Sequence, residues 1–141
     1  MKNPNLIRLG MIGMTDGNGH PYSWSAIFNR YNREAMTAEC PFPGIPTYLN
    51  KENYTSIGIP GAEVRMVYCD RRENAEHIAR LSNIPEVAER PEDMIGKVDA
   101  VIIATDIGAA PCPSFPPEYR CSSTNRFAII MRIFVFSAKL L

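Results

Sequence analysis

The sequence lacks an excess of charge of either sign. Its 141 residues carry fifteen basic and fifteen acidic side chains. A basic face that displaces counterions from phosphate is therefore not encoded, and no nucleic-acid partner is expected. It also lacks cysteine pairs. Cys40, Cys69, Cys112 and Cys121 are widely and unevenly spaced, with only His20 and His77 to join them. A zinc site needs a closed set of convergent ligands, so no metal is expected, and the thiols read as free cysteines of a reducing compartment. Long apolar runs are missing too. The run at 6–13 is interrupted by Arg8, and the run at 127–141 spans fifteen residues and carries Arg132, Ser137 and Lys139. A bilayer crossing needs roughly 20 apolar residues, and a signal peptide needs a longer apolar stretch before its cleavage site. The expected location is cytoplasmic, with no membrane partner. What is there, 45% apolar and 21% charged residues, excludes wholesale disorder.

The first hundred residues read as alternating strands and helices. Residues 6–13 are short, apolar and end at Gly13, as a buried parallel strand does. A turn-rich stretch follows, Thr15-Asp16-Gly17-Asn18-Gly19-His20-Pro21. Trp24, Ile27, Phe28 and Tyr31 then fall on one face of a helix, with Pro21 suited to its first turn. Residues 33–61 hold Pro41, Pro43, Pro46 and Pro60, with Gly44, Gly58 and Gly61, and read as an irregular insertion with a short helical piece near 48–52. Regularity returns with a strand at 64–69 closed by Asp70, a helix at 73–82 burying Ala75, Ile78, Ala79 and Ser82, and a very short strand at 86–88. A one-turn helix at 91–95 precedes the clearest strand of the chain, 98–105. This order predicts an α/β fold: a Rossmann-like, doubly wound parallel sheet, incomplete, followed by an irregular tail. From Ala109 the text changes. Four prolines fall within seven residues, and the segment 109–141 is +3 where 1–108 is −3. The strip 129–136 is rich in β-branched and aromatic residues, able to add a strand at the apolar sheet edge near 101–104 or, failing that, to aggregate.

A strand that runs through a glycine-rich turn into a helix is a phosphate trap, because the first amides of the helix lack partners and its dipole puts positive charge there. The turn here, Gly13-Met14-Thr15-Asp16-Gly17-Asn18-Gly19-His20, is not a clean G-x-G-x-x-G. Thr15 stands where the second glycine would be, its Cβ crowding a pyrophosphate and its hydroxyl able to donate to one. Asp70 ends the second strand, where an acid accepts the hydroxyls of a ribose, and it could equally cap the following helix. Arg71 and Arg72 could hold a 2′-phosphate, stack on adenine or simply be solvated, which leaves NAD and NADP both open. Thr105 and Asp106 end the fourth strand, where Thr105 would face the nicotinamide side of a cofactor. His20 opens the first helix, either pointing to a ligand or capping the turn. His77 reads as a surface residue without a role.

Residues 7–13, the Gly19-His20 pair, Val67-Tyr68-Cys69-Asp70 and residues 94–106 together resemble the N-terminal domain of the Gfo/Idh/MocA oxidoreductases. The stretch 16–29 and the Cys40-Pro41-Phe42-Pro43 insertion are similar to a subgroup of that family. The resemblance covers residues 5 to about 108. It implies a domain at 1–108 that binds NAD or NADP through Gly13, Met14, Thr15, Gly17, Gly19, His20, Asp70, Arg71 and Thr105. It further implies hydride transfer to or from a small sugar- or polyol-like substrate, completed in the family by a C-terminal α/β domain and a lysine in a Glu-Lys-Pro motif. This chain departs from that pattern. No Glu-Lys-Pro occurs, Lys139 is the only lysine beyond Lys97, and no catalytic residue is assigned. The break at Ala109 predicts that 109–141 is a frameshifted, mis-spliced or prematurely ended reading of a longer gene. A non-catalytic nucleotide-binding module, an inactive truncated product, and a small α/β protein whose turn binds nothing remain as alternatives.

Overall fold

The computed structural model describes residues 5–14, 18–51, 56–105 and 130–135. Its centre is β1 (Ile7–Gly13), an apolar strand exposed at Ile7 and buried from Leu9 onward. Parallel to β1 lie β2 (Ala62–Tyr68) on one side and β4 (Ala100–Thr105) on the other. The two-residue β3 (Glu86–Val87) pairs with β2, and β5 (Ile130–Val135) pairs antiparallel with β4. The sheet order is β3-β2-β1-β4-β5. Four parallel strands in the order 3-2-1-4 make the first half of a Rossmann-like fold. The protein is thus α/β, a doubly wound parallel sheet left incomplete. β5 occupies the edge of β4, in register from Ala100 opposite Val135 to Thr105 opposite Ile130, as the composition of 129–136 allows.

Two cores flank the sheet. On one face Leu9, Met11, Val64, Val67, Ile102 and Ala104 meet α1 (His20–Asn29) and α4 (Arg72–Leu81). On the other face Ile12, Met66 and Val101 meet Met94, Val98 and Ala88 around a 3₁₀ turn at Pro91–Met94. Gly10 lets that turn approach, since a Cβ there would lie 2.6 Å from Met94 Sδ.

Three sequence expectations need correction. The buried face of α1 is Pro21, Tyr22, Ser25 and Ala26, rather than the stripe through Trp24, Ile27 and Phe28, which is only partly buried. Small Ser25 and Ala26 bring the helix close to the sheet, while the bulkier stripe packs at the margin of the same core. Tyr31 is buried as expected, although it lies past the helix end. The insertion is not irregular throughout. It folds α2 (Arg33–Glu39) and α3 (Gly44–Leu49). Asn32 caps α2, its Oδ1 accepting from the Ala35 amide at 3.1 Å. Pro41 and Pro43 fall between the helices and Pro46 in the first turn of α3, where a missing N–H is harmless. The third correction concerns His77, whose Nδ1 lies 2.7 Å from the buried Tyr22 hydroxyl. No helix among the described residues is long and apolar enough to cross a membrane.

Candidate functional site

The chain runs from β1 outward to β2 and β3, then returns to place β4 on the far side of β1. In an open parallel sheet the crevice at such a reversal, beyond the carboxyl ends of the strands, is where ligands bind. Here it lies between Gly13 and Ala104, which are register partners. Ile12 is likewise in register with Tyr68, so Gly13 and Asp70 leave adjacent strands at the same edge. Thr105 ends β4 there as well. Thr15, Gly17 and Asp106, and the Thr105 side chain, lie outside the described residues.

Close approach governs this edge. A Cβ on Gly13 would collide with the Ala104 carbonyl oxygen and come within 3.1 Å of Pro21 Cγ. Met14 then turns the chain with φ of 87°, a conformation that costs a non-glycine residue energy. Gly19 is packed under the insertion, where a Cβ would lie 2.7 Å from Phe42 and Ile45. The insertion therefore roofs the turn before α1.

The mouth of α1 is partly occupied by its own side chains. Buried Asn18 reaches across the crevice, with Nδ2 donating to the Ala104 carbonyl at 3.3 Å. Its Oδ1 accepts from the His20 amide at 3.1 Å and contacts His20 Nδ1 at 2.6 Å. The amides of Tyr22 and Ser23 donate to the Gly19 carbonyl, and Pro21 has none. The described amides at the start of α1 are thus already engaged, at His20, Tyr22 and Ser23. The His20 ring stands edge-on to Trp24, with centroids 4.6 Å apart.

Asp70 is exposed, its one described partner being the Tyr68 hydroxyl at 3.5 Å. It does not cap α4. Arg71 holds that position and gives no side-chain cap. Burial, followed by the nearby Asp70 charge, pushes the Tyr68 hydroxyl up. Arg71 is exposed and has no partner among the described residues. Arg72 is committed elsewhere, to Glu76 at 2.7 Å and Glu89 at 3.1 Å. The structure thus gathers Gly13, Met14, Gly19, His20, Asp70 and Arg71 on the carboxyl-end side of the sheet.

Two features escape the sequence. One is Asn18, whose partner Ala104 is 86 residues away; its setting between two glycines signals only a turn. The other is a polar chain behind the crevice. Glu39, held by the two terminal guanidinium nitrogens of Arg80, lies 3.5 Å from His77 Nε2. A carboxylate only accepts, so in a neutral ring a proton on Nε2 facing Glu39 leaves Nδ1 to accept from Tyr22. Burial pushes the Tyr22 hydroxyl up to about 12, which keeps it a donor. Desolvation likewise pushes the buried Cys69 thiol, next to Asp70, up to about 12. No group of His, Cys, Asp and Glu able to hold a metal ion occurs among the described residues. An apolar cavity of about 200 Å³ lined by Ile27, Leu49, Ile57 and Ile59 lies toward the amino ends of the strands, away from this crevice. Comparison with protein-family models, with curated proteins and with solved structures finds no match in any of the three.

Proposed function

We propose that this chain carries a dinucleotide-binding domain of the Gfo/Idh/MocA oxidoreductase type, and that NAD is its cofactor. The observation that supports this most is the shared edge: Gly13 and Asp70 leave adjacent parallel strands on the same side, next to the reversal in strand order. On this reading the pyrophosphate lies against the turn after β1, near Gly13, Met14, Thr15, Gly17 and Gly19. Asp70 accepts the adenosine ribose hydroxyls, Arg71 flanks the adenine, and Thr105 and His20 lie toward the nicotinamide. NAD is preferred over NADP because the Asp70 carboxylate would repel a 2′-phosphate, and Arg72 is already paired with Glu76 and Glu89.

A bound dinucleotide would supply hydride chemistry. The residues of this chain bind and orient it, and none of them is assigned proton transfer, since Glu-Lys-Pro does not occur in the 141 residues. These residues are therefore expected to bind the cofactor, and transfer to a sugar- or polyol-like substrate is what the family resemblance implies.

Titration of the purified chain with NAD(H) and NADP(H) by calorimetry tests the reading. NAD is expected to bind more tightly, and Asp70→Ala to weaken it by roughly tenfold or more, the worth of hydrogen bonds to a charged group. An affinity unchanged by Asp70→Ala removes the ribose assignment, and no heat with either cofactor removes the function. The occupied mouth of α1 favours a second reading, a turn that serves only to join strand and helix. Silent calorimetry is its expected result.

A further inference from the structure

The amide of Asn18 is oriented by two independent contacts. Nδ2 faces the Ala104 carbonyl, and Oδ1 faces the His20 backbone N–H. Turning the amide over would set oxygen against oxygen and N–H against N–H, so its orientation follows from chemistry alone. The atom 2.6 Å from His20 Nδ1 is therefore an oxygen acceptor, and Nδ1 must carry a proton. In a neutral imidazole that leaves Nε2 with the lone pair. No described residue pairs with that nitrogen, and the ring is partly exposed at the first position of α1, held edge-on to Trp24. The contrast with His77 is informative. Both nitrogens of His77 are taken, Nδ1 by Tyr22 and Nε2 by Glu39, so that ring has nothing left for a ligand.

We infer that Asn18 holds His20 as its Nδ1–H tautomer, making Nε2 a hydrogen-bond acceptor beside the β1–β4 crevice, a subsite for a ligand hydroxyl or carboxamide N–H and not for phosphate. Asn18 is a positioning residue, and it acts on the ligand through the ring. The tautomer stands on the geometry of Asn18. The ligand class rests on the dinucleotide reading, where a nicotinamide carboxamide or a ribose hydroxyl supplies the donor. A phosphate oxygen offers Nε2 only lone pairs, so it would be repelled there.

Long-range proton–nitrogen correlation spectra of the ¹⁵N-labelled chain, without ligand and at mildly alkaline pH, test the first half. The expected pattern has protonated Nδ1 and bare Nε2 for His20. Protonated Nε2, a doubly protonated ring or rapid averaging of both tautomers overturns the inference. Asn18→Ala should move His20 toward the Nε2–H form while His77 stays unchanged, and an unmoved His20 would show that Asn18 does not set the tautomer. For the second half, pyrophosphate is expected to leave the Nε2 resonance in place and NAD to shift it in the direction of an accepted hydrogen bond. A shift with pyrophosphate alone, or NAD binding with Nε2 unmoved, overturns the ligand class. Absence of NAD binding by calorimetry removes the dinucleotide reading and the ligand class with it, while the tautomer is still decided by the ligand-free spectrum.

Discussion

Gly13 and Arg30 lie on either side of α1, and their backbones make opposite demands. Gly13 needs the space of a missing side chain, because the Ala104 carbonyl oxygen and Pro21 occupy the place of a Cβ. Gly13→Ala must displace paired strand backbone, and a loss of about 1–3 kcal/mol in urea unfolding is expected. Arg30, just past α1, adopts φ of 63° with ψ of −171°, a region that only glycine enters freely. Its Nε donates to the Ile57 carbonyl at 2.9 Å, an anchor that offsets part of the strain. Arg30→Gly and Arg30→Ala both lose that anchor, but only alanine keeps the strain. The glycine variant should be the more stable of the two by about 1 kcal/mol in chemical denaturation, and equal stabilities would contradict the strain. Gly13 was legible from the chain, since a glycine after an apolar run signals a strand running into a turn. Arg30 was not, because nothing in its neighbours encodes a positive φ.

At the scale of elements, polar contacts tie the insertion and the strand ends to the sheet. Tyr22 of α1, His77 and Arg80 of α4, and Glu39 of α2 form one chain of contacts. Tyr22→Phe removes the hydroxyl and keeps the ring, which contacts Phe42 and His77. It should cost about 1 kcal/mol and leave the secondary structure by circular dichroism unchanged. The amino ends of β1 and β4 are joined by Arg8, whose Nε and Nη2 reach Asp99 at 3.0 and 2.8 Å. The Arg8 guanidinium and amide hold the Asp99 carboxyl below its usual 3.8. A depressed carboxylate stabilises the fold above its unfolded pKa, and that contribution disappears as pH falls through the folded value. Both side chains are more than a third exposed, so the pair contributes no more than about 1 kcal/mol at neutral pH. The stability gap between wild type and Asp99→Asn should be constant from pH ~7 down to about 4 and close below that. A gap that persists in stronger acid would show that the asparagine fails for another reason. The strands themselves were readable from apolar runs ending in glycine or a polar residue. The helices of the insertion were not, because proline and glycine counts outweighed the Asn32 cap that starts α2.

For the whole molecule, the core between the sheet and its α1–α4 layer encloses two weak acids whose ionisation it opposes. Desolvation raises Cys69 and Tyr22 to about 12 each. A raised pKa gives stability that is complete below the unfolded value and is lost as pH rises toward the folded one. The fold should therefore weaken progressively from about pH 9 upward, with no matching loss between pH ~5 and 8. Cys69→Ala should flatten the start of that alkaline decline in thermal melts. Alkylation of Cys69 at mild pH should proceed no faster than unfolding, since a buried thiol yields little thiolate. Rapid alkylation of the folded chain would contradict the burial.

The sequence by itself determined the strand–helix order outside the insertion, the parallel sheet and the end at which Gly13 and Asp70 emerge. Those follow from local matters: apolar run length, glycine and proline punctuation, and helical spacing. Only the tertiary structure decided which groups meet. It brought Ala104 to Asn18, Glu39 to His77, and Phe42 and Ile45 onto Gly19. Among the described residues it also left His20 Nε2 without a partner, while both nitrogens of His77 face one. Contacts between residues far apart in the chain depend on strand register and helix placement, and these are settled only when the two faces of the sheet are packed.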